Sequence, residues 1–304
     1  MTAAPEPSGV RWRLLRGPDG KLRFLWRALI FCALAVYVLP LLVTEPLIVR
    51  LVRLVHMPMA LSAPSLALFE FGTFVLAVIC TLPFARYEGR RVDGYGLPLQ
   101  DAFGARTGEG FLVGVAMAGT VALGMYLLGG MQVHGFAIRG LELVAFAVAW
   151  LAANMVVGVA EEYLYRGYLL QTLWRSLGFW PASLLIALIF TGDHYFFKAG
   201  ENIWDVITLM SLSAFACYSV LRMGTLWFAV GFHIAFDFMQ FFVIGTPNGE
   251  EIPVGRLLNV TYQGPAWLTG GVLGTEASFL MYPLIALAFV YVAWRFRGQP
   301  DFNP

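Results

Sequence analysis

Two adjacent glutamates, Glu161 and Glu162, lie within an otherwise apolar stretch of the sequence, and Arg166 follows four residues after the second. A charged side chain near the centre of a bilayer costs about 2.5–3.5 kcal/mol on insertion scales, so such acids are functional candidates by default. A buried glutamate can take a proton from water. Glu162 and Arg166 have the spacing of an ion pair on one helix face, which leaves Glu161 as the better candidate base.

Two further apolar segments each carry one histidine, His194 and His233. Asp237 follows His233 by one helical turn, so both side chains lie on one helix face. Phe190 precedes His194 with the same spacing. At a rise of about 1.5 Å per residue, Glu161 and His194 stand at nearly the same height on the two arms of an antiparallel hairpin. We therefore expect three helices to bring acids and imidazoles together around one water molecule.

The composition indicates which elements hold these groups. The 304 residues are 59% hydrophobic and 13% charged, and the mean hydropathy of +0.71 is far above that of a soluble globular domain. A membrane-spanning helix needs about 20 mainly apolar residues. The sequence therefore predicts an all-α fold, a polytopic membrane bundle of about eight transmembrane helices. The predicted spans are 25–43, 66–84, 110–128, 141–159, 179–197, 203–221, 225–244 and 278–296.

The distribution of Lys and Arg predicts the orientation. With eight spans both termini share one side, and most basic residues fall on it; the other side has Arg50, Arg53, Arg139, Lys198 and Arg256. The positive-inside rule then places both termini in the cytoplasm. We expect a basic cytoplasmic segment at 1–24, a helical domain at 25–297 and a tail at 298–304. The first span is expected to remain in the protein rather than to be cleaved off as a signal peptide. The expected location is a bacterial inner membrane.

The remaining composition limits the partners. The formal net charge is +1, and no basic run continues beyond the N-terminal segment, so nucleic acid is not an expected partner. Membrane lipid is expected, with the basic N-terminus at anionic headgroups. Cys32, Cys80 and Cys217 have no paired spacing and are expected to be packing residues. The Gly- and Pro-rich stretch 245–277 is predicted to be either a lid or a partner surface.

Structural roles compete with these functional interpretations. Glu162 and Arg166 are equally compatible with a purely structural buried ion pair. A lone intramembrane histidine is often part of an interhelical hydrogen bond. Asp193 points about 100° away from His194 around its helix, so a pore-lining or supporting role is expected. Four further polar residues without suitably spaced partners are expected to be structural or interfacial: Glu70, Glu142, Asn154 and Asp205.

Three short motifs resemble, in type and order, those of the CPBP intramembrane proteases, which include CAAX endopeptidases and bacteriocin-processing or abortive-infection membrane enzymes. The family patterns are EExxxR, FxxxH and HxxxB, where B is Asn or Asp. The resemblance covers roughly 86–242, including a preceding connection that is similar to that of bacterial members. The matching motif residues are Glu161, Glu162 and Arg166; Phe190 and His194; and His233 and Asp237.

The resemblance implies roles for these residues. Glu161 would activate water with the help of His194, while Glu162 and Arg166 would support them. His233 and Asp237 would stabilise the oxyanion or complete a metal site. In eukaryotic CAAX endopeptidases the last position is Asn, whose amide can donate a hydrogen bond to an oxyanion, whereas an ionised Asp cannot. Asp237 is therefore expected to be protonated, to bind a metal or to orient His233.

Metal use stays open at this point. His194, His233 and Glu161 could form a zinc site with an open position for water, and a glutamate mechanism without metal fits the resemblance equally well. No His-Glu-x-x-His sequence occurs. We predict an intramembrane endopeptidase for a peptide or protein substrate, in CAAX-type or bacteriocin and peptide processing. The alternative class is a transporter or scaffold in which the same groups line a proton or ion path.

Overall fold

The protein is described by a computed structural model that places residues 14–17, 19–57, 60–197, 200, 202–249 and 251–304. Most of the helices are long enough to cross a membrane. They are α1, Phe24–Leu54; α2, Ala63–Glu88; α3, Ala105–Leu127; α4, Gly140–Leu177; α5, Phe179–Phe197; α6, Ile203–Met223; α7, Trp227–Ile244; and α8, Met281–Arg295. Short helical segments occupy Leu99–Asp101, Ala266–Thr269 and Gly271–Ala277. The described residues also form two strands, β1, Met131–Phe136, and β2, Leu258–Tyr262.

By length and composition, seven helices within the described residues could span a membrane: α1 to α4, α6, α7, and α8 counted from Gly271. This confirms the predicted all-α polytopic bundle. The predicted fifth span is present as α5 but is not among the seven, and its last turns carry the polar residues Asp193 and His194. Residues 1–13 and 18 of the predicted N-terminal segment lie outside the described part of the chain.

A two-stranded ribbon was not predicted. β1 pairs with β2 in antiparallel fashion, with Met131 opposite Tyr262, and the register shifts between Val133 and Gly135. The ribbon ties the connection before α4 to the stretch 245–277. That stretch therefore has structure of its own, which its Gly and Pro content did not indicate.

Helix α4 is broken directly after the two acids. It is α-helical over Gly140–Glu162, π-helical over Tyr163–Leu169 and α-helical again over Leu170–Leu177. Gly167, at φ −72° and ψ −110°, has a non-helical backbone. Short π-helical segments occur frequently at functional sites. The helix ends before Gly178, which has a φ of 84°.

Small residues set the position of α7, which carries His233. Helix α7 packs against α3 and α4, α2 packs along α4, and α5 packs along α6. A Cβ atom on Gly110 would lie 2.0 Å from the carbonyl oxygen of Phe228, and one on Gly231 would lie 2.0 Å from that of Thr107. Glycines at such crossings let helix backbones approach closely. The close approach of α3 and α7 thus depends on both glycines.

The predicted tail, 298–304, is packed against the helical domain. The backbone N–H of Phe302 donates to the carbonyl of Leu221 at 2.8 Å, and its ring contacts Trp174 at 5.9 Å between centroids. Nε of Arg175 donates to the carbonyl of Pro304 at 3.1 Å. The tail therefore covers the ends of α4 and α6.

Candidate active site

One cavity of about 640 Å³ lies between α2, α4, α5, α6 and α7, and all six sequence-predicted site residues line it. The three helices expected to converge are α4, α5 and α7. They bring Glu161, Glu162, Arg166, His194, His233 and Asp237 to this one space.

Glu162 and Arg166 form a buried ion pair. The Arg166 Nη1 atom donates to Oε1 of Glu162 at 3.2 Å, and the two side chains are only 2% and 4% exposed, respectively. Nη2 of Arg166 donates to the hydroxyl of Ser213 on α6 at 2.7 Å. The guanidinium also lies over the ring of Phe190, 4.7 Å from its centroid. Arg166 therefore links α4, α5 and α6.

His233 lies among three carboxylates. Its Nδ1 atom is 3.0 Å from Oε1 of Glu162, in hydrogen-bond geometry. Its Nε2 atom is 3.5 Å from Oδ2 of Asp237 and 3.8 Å from Oε2 of Glu161. A carboxylate only accepts hydrogen bonds when ionised, so the Nδ1 proton points to Glu162. The other ring nitrogen then faces Glu161 and Asp237.

Glu161 differs from its neighbour in how its oxygens are used. Oε2 of Glu161 is buried and makes no hydrogen bond within the described part of the chain, although it faces His233. Oε1 of Glu162, in contrast, contacts both Arg166 and His233. A buried polar atom without a partner is costly unless water or a ligand fills that role. Oε2 of Glu162 is also buried without a hydrogen bond in the described residues, but Glu162 is already paired with Arg166 and His233 through Oε1, so Glu161 is the better candidate of the two to hold water.

His194 is held by its own helix. Nδ1 lies 2.9 Å from the carbonyl oxygen of Phe190, and the two rings are 4.3 Å apart between centroids. A carbonyl oxygen can only accept, so Nδ1 carries the hydrogen and Nε2 is the nitrogen that can act in the cavity. The FxxxH spacing thereby fixes both the ring position and its tautomer.

The donor arrangement does not fit the metal site suggested by the sequence. Among the described residues, no three His, Cys, Asp or Glu side chains are placed so that they could hold one ion. Glu161, His194 and His233 share the cavity without forming such a group. Nδ1 of His233 lies 3.0 Å from Oε1 of Glu162, so this nitrogen is not free to bind an ion. We therefore assign no step of the chemistry to a metal.

The cavity contains acids to which the sequence gave a lesser role. Glu70 on α2 was expected to be structural, yet it lines the cavity, and its Oε2 atom is buried without a hydrogen bond in the described residues. The position of Glu70 in an apolar span could have indicated a functional role. The sequence analysis assigned it a structural role because no polar residue at helical spacing accompanies it. Asp193 accepts a hydrogen bond from Tyr165 at 2.7 Å and also lines the cavity, in agreement with the expected pore-lining role.

The stretch 245–277 also reaches the cavity. Asn248, Glu251 and Glu276 line it, and Nε2 of Gln240 donates to Oε1 of Glu276 at 3.1 Å. The stretch therefore forms part of the cavity wall, and the lid and the partner surface both stay predictions.

Three residues with an expected structural role lie outside this cavity lining. The side-chain amide of Asn154 donates to the carbonyl of Trp150 at 2.9 Å. Glu142 is exposed in the first turn of α4, and Asp205 is buried in the first turn of α6. Their positions agree with the structural or interfacial role expected from the sequence.

The helices and the cavity define a multi-pass membrane protein with a buried site of acids and imidazoles. Residues 143–239, about a third of the chain, match the family model described as Type II CAAX prenyl endopeptidase Rce1-like. The match contains all three motifs and lies within the predicted core 86–242, which confirms the resemblance to this protease family. A comparison with curated proteins gives no match.

Proposed function

We propose that this protein is an intramembrane endopeptidase that hydrolyses a peptide bond with water activated by Glu161 and His194. The observation that supports the proposal most strongly is the free Oε2 of Glu161 in a cavity that also contains His194 and His233. The match to the CAAX endopeptidase family supports a hydrolase. The substrate class is a CAAX-type tail or another peptide presented at the membrane.

In the proposed reaction, a water molecule between Glu161 and His194 attacks the carbonyl carbon of the peptide bond. Oε2 of Glu161 takes one water proton, and Nε2 of His194 holds the water by accepting its other hydrogen. The carbonyl oxygen becomes an oxyanion, which accepts a hydrogen bond from Nε2–H of His233 in its doubly protonated form. The C–N bond then breaks, the departing amine receives the proton from Glu161, and a carboxylic acid remains on the other product.

Three neighbours keep these groups in place. Glu162 accepts from Nδ1 of His233, so a second proton on that ring would lie on Nε2, which faces the cavity. Asp237 lies 3.5 Å from Nε2 and orients this proton, as the sequence allowed. Arg166 balances the charge of Glu162. Ordered donors at a developing negative charge supply a large share of catalysis in many enzymes.

The test is Glu161→Gln in purified protein in liposomes, with a library of prenylated and unprenylated peptides as substrates. We expect the cleavage rate to fall by about 10²- to 10⁴-fold, the usual contribution of a general base. Glu142→Gln is the matched control, since Glu142 is exposed on the same helix. Normal cleavage by the Glu161 variant would contradict the mechanism. A wild-type protein that cleaves none of the peptides would favour the transporter or scaffold.

We also propose an inner-membrane location with both termini in the cytoplasm, which counts α5 as an eighth span beside the seven found by length and composition. With eight spans the basic residues concentrate on the side of the termini. A reporter domain that is active only in the cytoplasm should be active when it is fused to either terminus. A reporter at either end that works only outside the cytoplasm would contradict this orientation.

A further inference from the structure

A second cavity of about 510 Å³ lies on the other side of the π-helical part of α4, between α2 and the connection that follows it. Arginines lie at one end, where α2 finishes at Glu88. Apolar side chains form the rest of its wall. The apolar lining includes Phe74, Val78, Leu82, Ala85, Leu97 and Tyr163.

The polar end has more positive than negative charge. Arg86, Arg90 and Arg91 line it together with Asp93, which pairs with Arg91 at 2.9 Å. Arg86 is exposed. Nη1 of Arg90 is buried and makes no hydrogen bond within the described part of the chain. This end of the groove therefore has the charge to attract an anion.

Arg90 is held in place by its other nitrogen. Its Nη2 donates to the carbonyl of Gly94 at 2.8 Å and to the side-chain oxygen of Gln171 at 3.2 Å. Burial lowers the pKa of the Arg90 guanidinium, and repulsion from Arg175 lowers it further. A bound anion would offset both effects. The guanidinium also lies over the ring of Tyr95, 4.2 Å from its centroid, so Arg90 is a fixed positive charge at the groove wall.

The length of the groove matches one leaflet of a bilayer. Phe74 and Arg86 are twelve residues apart on α2, which is about 18 Å at 1.5 Å per residue. The hydrocarbon core is about 30 Å thick, so one leaflet has about half of that depth. An acyl chain against Phe74 and Val78 would therefore place its headgroup near the arginines.

We propose that this groove binds one anionic phospholipid, with its phosphate between Arg86, Arg90 and Arg91 and one acyl chain along the apolar wall. Basic pockets between transmembrane helices are suited to anionic headgroups, and anionic lipids are enriched in the cytoplasmic leaflet. The inference does not depend on the proposed protease activity.

The groove adjoins the helix that carries the acids. Tyr163 directly follows Glu162 and forms part of the groove wall, and its hydroxyl donates to the carbonyl of Val92 at 2.9 Å. Glu161 and Glu162 line the other cavity. A lipid in the groove would pack against the first residue of the π-helical segment and hold it in position.

The test measures the affinity of delipidated protein in detergent for dioleoyl phosphatidylglycerol and for dioleoyl phosphatidylcholine by native mass spectrometry. We expect one molecule of the anionic lipid to bind preferentially. Arg86→Ala combined with Arg91→Ala should weaken it by about 25-fold, taking about 1 kcal/mol per surface arginine and about 1.4 kcal/mol per tenfold change. Both residues are exposed, so the fold should persist.

Two further variants separate the headgroup from the chain. Val78→Trp leaves the arginines in place and fills the apolar part, so it should weaken binding of both lipids. Arg297→Ala is the matched control, because Arg297 is exposed and lies outside the groove lining; it should bind as wild type does.

Several results would overturn the proposal. Equal affinity for the two lipids, or unchanged binding by the arginine and Val78 variants, would mean only non-specific lipid around the helices. Displacement of the lipid by inorganic phosphate alone would indicate a site for soluble anions. Tighter binding of farnesol, independent of the arginines, would assign the groove to an isoprenoid chain.

Discussion

The buried acids around Glu88 and around Glu161 differ in how completely their carboxylate oxygens are hydrogen-bonded. Glu88, at the end of α2, is surrounded by donors. Its Oε1 accepts from Arg27 at 2.8 Å and from Tyr168 at 3.2 Å. Its Oε2 accepts from Tyr95 at 3.0 Å and from Arg175 at 3.3 Å. Every oxygen of this carboxylate is thus bonded within the protein.

In the cluster that lines the candidate active site, the carboxylate oxygens are incompletely hydrogen-bonded. Oε2 of Glu161 and Oε2 of Glu162 are buried without hydrogen bonds in the described residues, and so is Oε2 of Glu70. A saturated buried carboxylate has no remaining affinity for water or substrate, whereas an unsaturated one is destabilised until it finds a donor. The comparison leads us to expect that the Glu88 cluster stabilises the fold and that the Glu161 cluster takes part in the proposed reaction.

The largest expected effect is on stability, from Glu88→Gln. Arg27 is 4% exposed and would lose its carboxylate partner. Removing one partner of a buried pair usually costs about 3–5 kcal/mol, because the other charge stays buried. We expect a large fall in Tm, measured by thermal unfolding in detergent, with the cleavage rate per folded molecule unchanged.

Glu161→Gln is the counterpart in the other cluster. It removes a charge that has little hydrogen bonding to lose, so its Tm should equal or exceed that of wild type while cleavage falls. If instead Glu88→Gln unfolds no earlier than wild type, or Glu161→Gln unfolds much earlier, the division between a folding cluster and a reacting cluster does not hold.

A smaller effect is expected from Ser213→Ala, which should lower both stability and activity. The substitution removes the 2.7 Å hydrogen bond to Arg166 and keeps the bond from Arg166 to Glu162. Hydrogen bonds to charged groups contribute about 1.5–3 kcal/mol. We expect a loss of stability of this size, together with a lower kcat at unchanged KM, because Glu162 and His233 would be held less firmly.

The matched control is Ser211→Ala on the same helix. Ser211 is partly exposed and its hydroxyl donates only to the carbonyl of Ile207, at 2.7 Å. It should leave both Tm and kcat close to wild type. Equal effects of the two serine variants would show that Ser213 does not act through Arg166.

The sequence predicted those parts of the site that helix geometry determines. Glu162 pairs with Arg166, and His233 lies near Asp237, because residues four apart share a helix face. The partner of His233 on α4 was not predictable, since it depends on the relative rotation of two helices. That rotation is set by close approaches such as the one at Gly231.

The other features that the sequence did not predict depend on contacts between residues far apart in the chain. Glu70 has no spaced polar partner on α2, so only the packing of α2 along α4 shows that it reaches the cavity. Ser213 was not considered from the sequence, because a serine in a span carries no charge. The ribbon pairs Met131 with Tyr262, residues far apart in the sequence whose pairing no local pattern indicates.

The smallest expected effect is that of metal chelation. It tests whether the carboxylate oxygens of the candidate active site that lack hydrogen bonds bind water or a metal ion. The described residues provide no group of three ligands for an ion, so we expect EDTA and 1,10-phenanthroline to leave the cleavage rate unchanged. Metal analysis of the purified protein should accordingly find no stoichiometric zinc. Loss of activity with chelator and recovery with added zinc would contradict this. In that case Glu161, His194 and His233 would have to move into a common ligand set, and the free oxygen of Glu161 would be a metal ligand rather than the base that faces water.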